Sequence, residues 1–200
     1  MNEKYIITIG RQLGSGGRII GKKLAENLGF SYYDKELINL ASKESGLNKE
    51  IFEQADETPH FSFFDNFFDV QYARNYLVNN NLFTIQSEII HSLAEEKSCV
   101  FVGRCADYIL RDHPNCLNIF ITAEKEDRVH RITESEKVSE AKAWAFAEKV
   151  DKKRKEYYNF YSNKVWGRSA SYHLSINASV LGVEKTARFI EQLAREKFGM

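Results

Sequence analysis

The residues Tyr5-Ile6-Ile7-Thr8-Ile9 form a continuous, mainly apolar run that ends at Gly10. Such a run suits a strand covered on both faces, as inside a parallel sheet. The stretch that begins there, Gly10-Arg11-Gln12-Leu13-Gly14-Ser15-Gly16-Gly17-Arg18, carries four glycines. Behind it Ile20, Leu24 and Leu28 recur at helical spacing until Gly29 closes the helix. Strand, glycine loop and helix in this order point to anion binding. Glycines let main-chain N–H groups approach a phosphate, and the helix start adds partial positive charge. Gly14, Ser15, Gly16, Gly17 and Arg18 are the residues expected to hold phosphate, with Arg11 beside them.

The strict P-loop pattern requires two glycines five apart, then lysine, then serine or threonine. Here Gly10 and Gly16 are six apart, Gly17 stands for the lysine, and Arg18 takes the place of the hydroxyl. The dinucleotide-binding pattern fails too, because Ile19 occupies its last glycine position. A replacement cation is needed, and an arginine would supply it as a planar fork. Arg18 is the first choice and Arg11 the fallback, whereas Lys22 and Lys23 lie further into the helix and read as solvated.

Further strands are expected at Phe30 to Tyr33, Cys99 to Gly103, Leu117 to Ile121 and Tyr172 to Ile176. Helices are expected at Leu82 to Ala94, Ala106 to Leu110, Glu124 to Glu134, Ser139 to Ser162 and Val183 to Phe198. Strands alternating with helices predict an α/β fold, a doubly wound and mainly parallel five-stranded sheet. Residues 1–200 read as a single domain, with 35–80 as a helical inserted lobe on the acceptor side and 124–165 as lid-type helices. The lobe is rich in aromatics: Phe61, Phe63, Phe64, Phe67, Phe68, Tyr72 and Tyr76. They read as packing between helices or as a homodimer interface through residues 61–76, with a base-stacking pocket as the other possibility.

Arg104 follows the strand ending at Gly103, and the carboxyl end of a central parallel strand is where such folds bind ligands. Arg128 and Arg131 lie three apart, as do Asp151 and Arg154, so each pair shares a helix face. Singly these are surface ion pairs; together they describe a lid with inward arginines. On that view they act on ligand, and removing them costs little stability.

Lys+Arg and Asp+Glu both total 28, a net charge of zero, which argues against a nucleic-acid partner held by bulk charge. No apolar run approaches the roughly 18 residues of a membrane span. No signal peptide is read at the N-terminus, and Cys99, Cys105 and Cys116 match no zinc spacing, so they are expected as core thiols. The expected compartment is the cytoplasm.

The quoted segments resemble the cytidylate kinase-like family, near bacterial CMP kinases within the P-loop nucleoside monophosphate kinases, over nearly the whole chain. The resemblance rests on Gly14 to Arg18, Tyr33-Asp34-Lys35-Glu36-Leu37-Ile38, Val102 to Leu110 and Ile119-Phe120-Ile121-Thr122-Ala123, with Arg128 and Arg131. The run from Asp151-Lys152-Lys153-Arg154 through Tyr157-Tyr158 to Trp166 completes it. It implies phosphoryl transfer from ATP or GTP with Mg2+, and no metal site made by the protein alone. With it, catalytic roles are expected for Arg128, Arg131, Asp151 and Arg154, besides Arg18 as the replacement cation, and an acceptor side at Asp34, Arg104 and Cys105.

Three positions depart from CMP kinases. Cys105 replaces the aspartate that reads the cytosine amine, Asp34-Lys35-Glu36 replaces Asp-Ser-Gly, and the loop lysine is missing. Three functions stay open at this point: a kinase for a nucleoside monophosphate or other small acceptor, a nucleotide-binding regulatory protein of the same fold without turnover, and an interaction module with no ligand.

Overall fold

The computed structural model describes residues 3–35, 37–39 and 76–200, with side chains from residue 80 onward in the last segment. The elements are β1 (Ile6–Arg11), α1 (Gly17–Leu28), β2 (Ser31–Tyr33), α2 (Tyr76–Glu96), β3 (Cys99–Val102) and α3 (Ala106–Ile109). They continue with β4 (Cys116–Thr122), α4 (Lys125–Glu136), α5 (Glu140–Ser162), β5 (Leu174–Asn177) and α6 (Gly182–Phe198). The lobe expected at 35–80 and the aromatic stretch 61–76 lie almost entirely outside the described residues.

The strands form one five-stranded sheet in the order β2-β3-β1-β4-β5, and every pair is parallel. β1 therefore lies in the middle, with Ile6 opposite Cys99 on one side and Cys116 on the other. Period-2 alternation divides its residues between two cores. Ile7 and Ile9, with Val100, Val102, Leu117, Ile119 and Ile121, pack on Ile20 and Leu24 of α1 and on Ala187, Ile190 and Ala194 of α6. Ile6, Cys99, Phe101 and Cys116 face the opposite layer, built from Ile90 and Ala94 of α2 and from α3. A third cluster joins α4 and α5 through Val129, Ile132, Ala143 and Ala147, with Leu13 of the glycine loop against it. This last contact fixes the two helices over the end of β1. The three cysteines are buried free thiols, and no described helix is long and apolar enough to cross a membrane.

One boundary moves in a way that matters. β1 continues two residues beyond the apolar run, so Gly10 and Arg11 are strand residues opposite Phe120 and Ile121. Gly10 is glycine for packing, since a Cβ there would stand 2.7 Å from the Phe120 ring. The loop proper is Gln12 to Gly16.

Candidate functional site

Between β1 and α1 the chain turns through two left-handed glycines, Gly14 at φ 76° and Gly16 at φ 83°. At Gly14 a Cβ would stand 2.6 Å from the carbonyl oxygen of Arg128, so the main chain of α4 touches the loop directly. The Ser15 hydroxyl donates to the Gln12 carbonyl at 2.8 Å, and no side chain caps α1. The first N–H groups of any α-helix lack an intrahelical acceptor, and such a start without a side-chain cap is suited to receive an anion.

The two arginine pairs converge on this loop. Arg128 Nε donates to Leu13 O at 2.7 Å, Arg131 Nη1 to Gly14 O at 2.8 Å and Arg154 Nη1 to Arg11 O at 3.1 Å. Asp151 accepts from the Leu13 N–H at 2.8 Å and pairs with Arg128 at 2.5 Å and Arg154 at 3.6 Å. The spacing thus placed both pairs correctly on inward faces, but they grip main chain. Arg128 also lies over the Trp144 ring, and its side chain is only 6% exposed. The expectation that removing it costs little stability does not fit a buried group with these bonds.

Opposite the loop, β3 is followed by three successive left-handed residues, Gly103, Arg104 and Cys105. Two of them carry side chains, a conformation that costs roughly 1–3 kcal/mol each and gathers at functional sites. Arg104 lies against the Tyr157 ring. Gly103 is glycine because the Arg11 guanidinium fills its side: a Cβ there would fall 2.1 Å from Nη1. Burial first, then the charges of Arg154 and Arg104, hold the Arg11 pKa well below the usual arginine range. Arg154 is lowered to about 10, again mainly by burial, with Asp151 opposing the shift. At about 10 Arg154 stays protonated near neutral pH, and a guanidinium gives up its proton less readily than any other side-chain cation, so the cluster concentrates positive charge.

Arg18 lines the same cleft but is engaged with a carboxylate. Its side chain is 56% exposed and binds Asp34 at 2.9 Å. Asp34 is buried and also accepts from Tyr32 OH at 3.2 Å and from the Leu37 N–H at 3.3 Å. Cys105 lies buried on the cleft wall, and burial pushes its thiol pKa up. Together the loop, Arg11, Arg104, Arg131, Arg154, Asp34 and Cys105 line one cleft of about 300 Å³ at the carboxyl ends of β1 and β3.

A second group lines the cleft whose members Asp107, Tyr158 and Trp166 lie in the segments that carry the family resemblance, without a role assigned to them from sequence. Asp107 is buried and accepts from Tyr158 OH at 2.7 Å, and burial raises its pKa. Tyr158 stacks with Tyr172, and Phe120 packs between Tyr172 and Trp166. Read locally, Asp107 is an acidic residue in the first turn of a short helix, which is commonplace.

Among the described residues no group of three or more His, Cys, Asp or Glu side chains is placed to hold a metal ion. The Ser15 hydroxyl is turned to Gln12 and Arg18 holds Asp34, so the usual protein ligands for P-loop magnesium are not assembled here.

The sequence model of the cytidylate kinase-like family matches residues 6–180. A cytidylate kinase from Aeropyrum pernix is 28% identical over 190 residues, covering 92% of this chain and 95% of that one. An uncharacterized protein from Eubacterium ventriosum has a similar crystal structure, with a TM-score of 0.74 at 32% identity, over 96% of this chain and 98% of that one. Shikimate kinase from Bacteroides thetaiotaomicron shares the fold at 13% identity, with a TM-score of 0.55 over 94% and 97% of the two chains.

Proposed function

This chain belongs to the cytidylate kinase-like family, and from that premise we propose that it transfers the terminal phosphoryl group of ATP or GTP to a nucleoside monophosphate or another small acceptor. The observation that carries the reading is the meeting of a left-handed glycine loop, an uncapped helix start and the arginines Arg11, Arg104 and Arg154 around one cleft. Such a site suits a polyanion and little else.

In this reading the donor phosphates rest on the N–H groups of Gly14 to Arg18, and Arg104 meets the acceptor phosphate from the facing wall. An acceptor oxygen attacks the terminal phosphorus, the bond to the bridging oxygen breaks, and the nucleoside diphosphate leaves. Positioning and charge neutralisation are the protein's main contributions to this chemistry. Arg128 and Arg131 hold the loop carbonyls of Leu13 and Gly14, Asp151 holds the Leu13 N–H, and all three so act by positioning. Mg2+ enters with the nucleotide as part of the substrate, since phosphate oxygens supply much of its coordination in such sites.

The buried Cys105 supports an acceptor other than CMP, because a thiol is a weak partner for an amine. Asp34, held by Arg18 and Tyr32, is the polar group offered on that side. Acceptor-dependent ADP release with CMP, UMP, AMP and GMP is the test. Release above that of ATP alone is expected, and a preference for CMP of about a hundredfold would contradict the role given to Cys105. Gly17 at the lysine position favours a second reading, a nucleotide-binding regulatory protein of the same fold. Thermal stabilisation by nucleotide without acceptor-dependent ADP release would support it over the first.

A further inference from the structure

We propose that Arg11 is the cation that meets the donor's terminal phosphates in place of the P-loop lysine, and that Gly17 is glycine because Arg11 occupies its space. The inference rests on the nucleotide-binding reading and deepens it. The residue five before Gly16, where the P-loop pattern has its first glycine, is Arg11. Its main chain belongs to β1 opposite Ile121, so its position is set by the central strand.

From that strand the side chain crosses the site. A Cβ on Gly17 would stand 2.7 Å from Arg11 Cβ and 3.0 Å from Arg11 Cγ, so no lysine fits at residue 17 while Arg11 keeps this path. The far end of the side chain fills the side of Gly103. Two glycines from different segments therefore make room for one arginine. In the P-loop pattern glycine comes first and the cation follows the last glycine; here the two are exchanged.

The electrostatics agree with the geometry. Among the described residues no carboxylate forms an ion pair with Arg11, and the charges of Arg154 and Arg104 act against its own more strongly than Asp34 favours it. Arg18, by contrast, is engaged with Asp34. A partly buried arginine facing other arginines in a cleft is relieved by an anion, and the triphosphate is the anion that this loop accommodates.

Calorimetric titration of the full chain with ATP and Mg2+ tests the exchange, with melting temperature measured on each variant. Wild type should bind; if it binds no triphosphate, the nucleotide reading and this inference fall together. Arg11→Met keeps the stem and removes the charge, and should weaken binding about tenfold or more. Arg11→Lys should keep most of the affinity. Gly17→Lys alone should bind poorly, because its stem meets Arg11, whereas Arg11→Gly with Gly17→Lys should recover affinity to within about threefold of wild type. If wild type binds and Arg11→Met binds equally well, the inference alone is overturned. A folded double variant that binds no tighter than Arg11→Gly overturns it as well, for a merely structural arginine would not be replaced by a lysine six residues away.

Discussion

Replacing Arg128 by alanine separates a clamp from a free lid. The wild-type side chain is almost fully buried, donates to Leu13 O at 2.7 Å and pairs with Asp151 at 2.5 Å. Removing one partner of a buried ion pair costs roughly 3–5 kcal/mol, because the other charge stays behind. Asp151 would keep the Leu13 N–H at 2.8 Å and Arg154 at 3.6 Å, which places the loss near the lower limit, about 3 kcal/mol. For a chain of this size that corresponds to a fall in melting temperature of roughly 6–12 °C, readable by differential scanning calorimetry. Adding Asp151→Ala should cost less than the sum of the two single changes, with a coupling of about 1–3 kcal/mol. A melting temperature within about 2 °C of wild type for Arg128→Ala would refute the clamp and return the arginine to the role of a free lid group.

Other outcomes follow from the same geometry. Gly14→Ala should lose about 2 kcal/mol or more in urea denaturation, since its Cβ would meet the Arg128 carbonyl oxygen at 2.6 Å from a left-handed backbone; a loss below about 0.5 kcal/mol would mean that α4 yields easily. Tripolyphosphate should raise the melting temperature, by an amount worth about 2.7 kcal/mol at a hundred times its Kd, while sodium chloride of equal ionic strength should not. Asp107 has its carboxyl pKa raised by burial, so its contribution to stability is full below pH 3.8 and is lost as pH rises through the folded value. Asp107→Asn removes that loss, so the melting temperature of the variant relative to wild type should be higher at pH 7 than at pH 4, and an unchanged difference would count against the buried charge.

The sequence by itself determined the elements and the neighbourhood of the site. The run from Tyr5 to Ile9, the glycine loop and the spacing of Ile20, Leu24 and Leu28 predicted the first βα unit. The alternation of strands and helices predicted the five-stranded parallel sheet that is found. Spacing of three placed Arg128 with Arg131, and Asp151 with Arg154, on shared faces. Each of these depends on residues within a turn or two of one another, where backbone geometry alone relates them.

Tertiary structure decided what the groups hold. Arg128 meets Leu13 across 115 positions and Arg154 meets Arg11 across 143, distances over which no periodicity carries information. The same holds for Gly17 and Gly103, whose missing side chains are explained only by an arginine arriving from β1. Gly10 reads as a loop glycine until Phe120 is seen against it, and Asp107 is an unremarkable helix-start acid until Tyr158 reaches it. Order along the chain favours Arg18, which directly follows Gly17 at the lysine position. Both arginines line the cleft, but Arg18 is paired with Asp34 whereas Arg11 crosses from β1 past Gly17 to Gly103, a path set by packing across the sheet rather than by order along the chain.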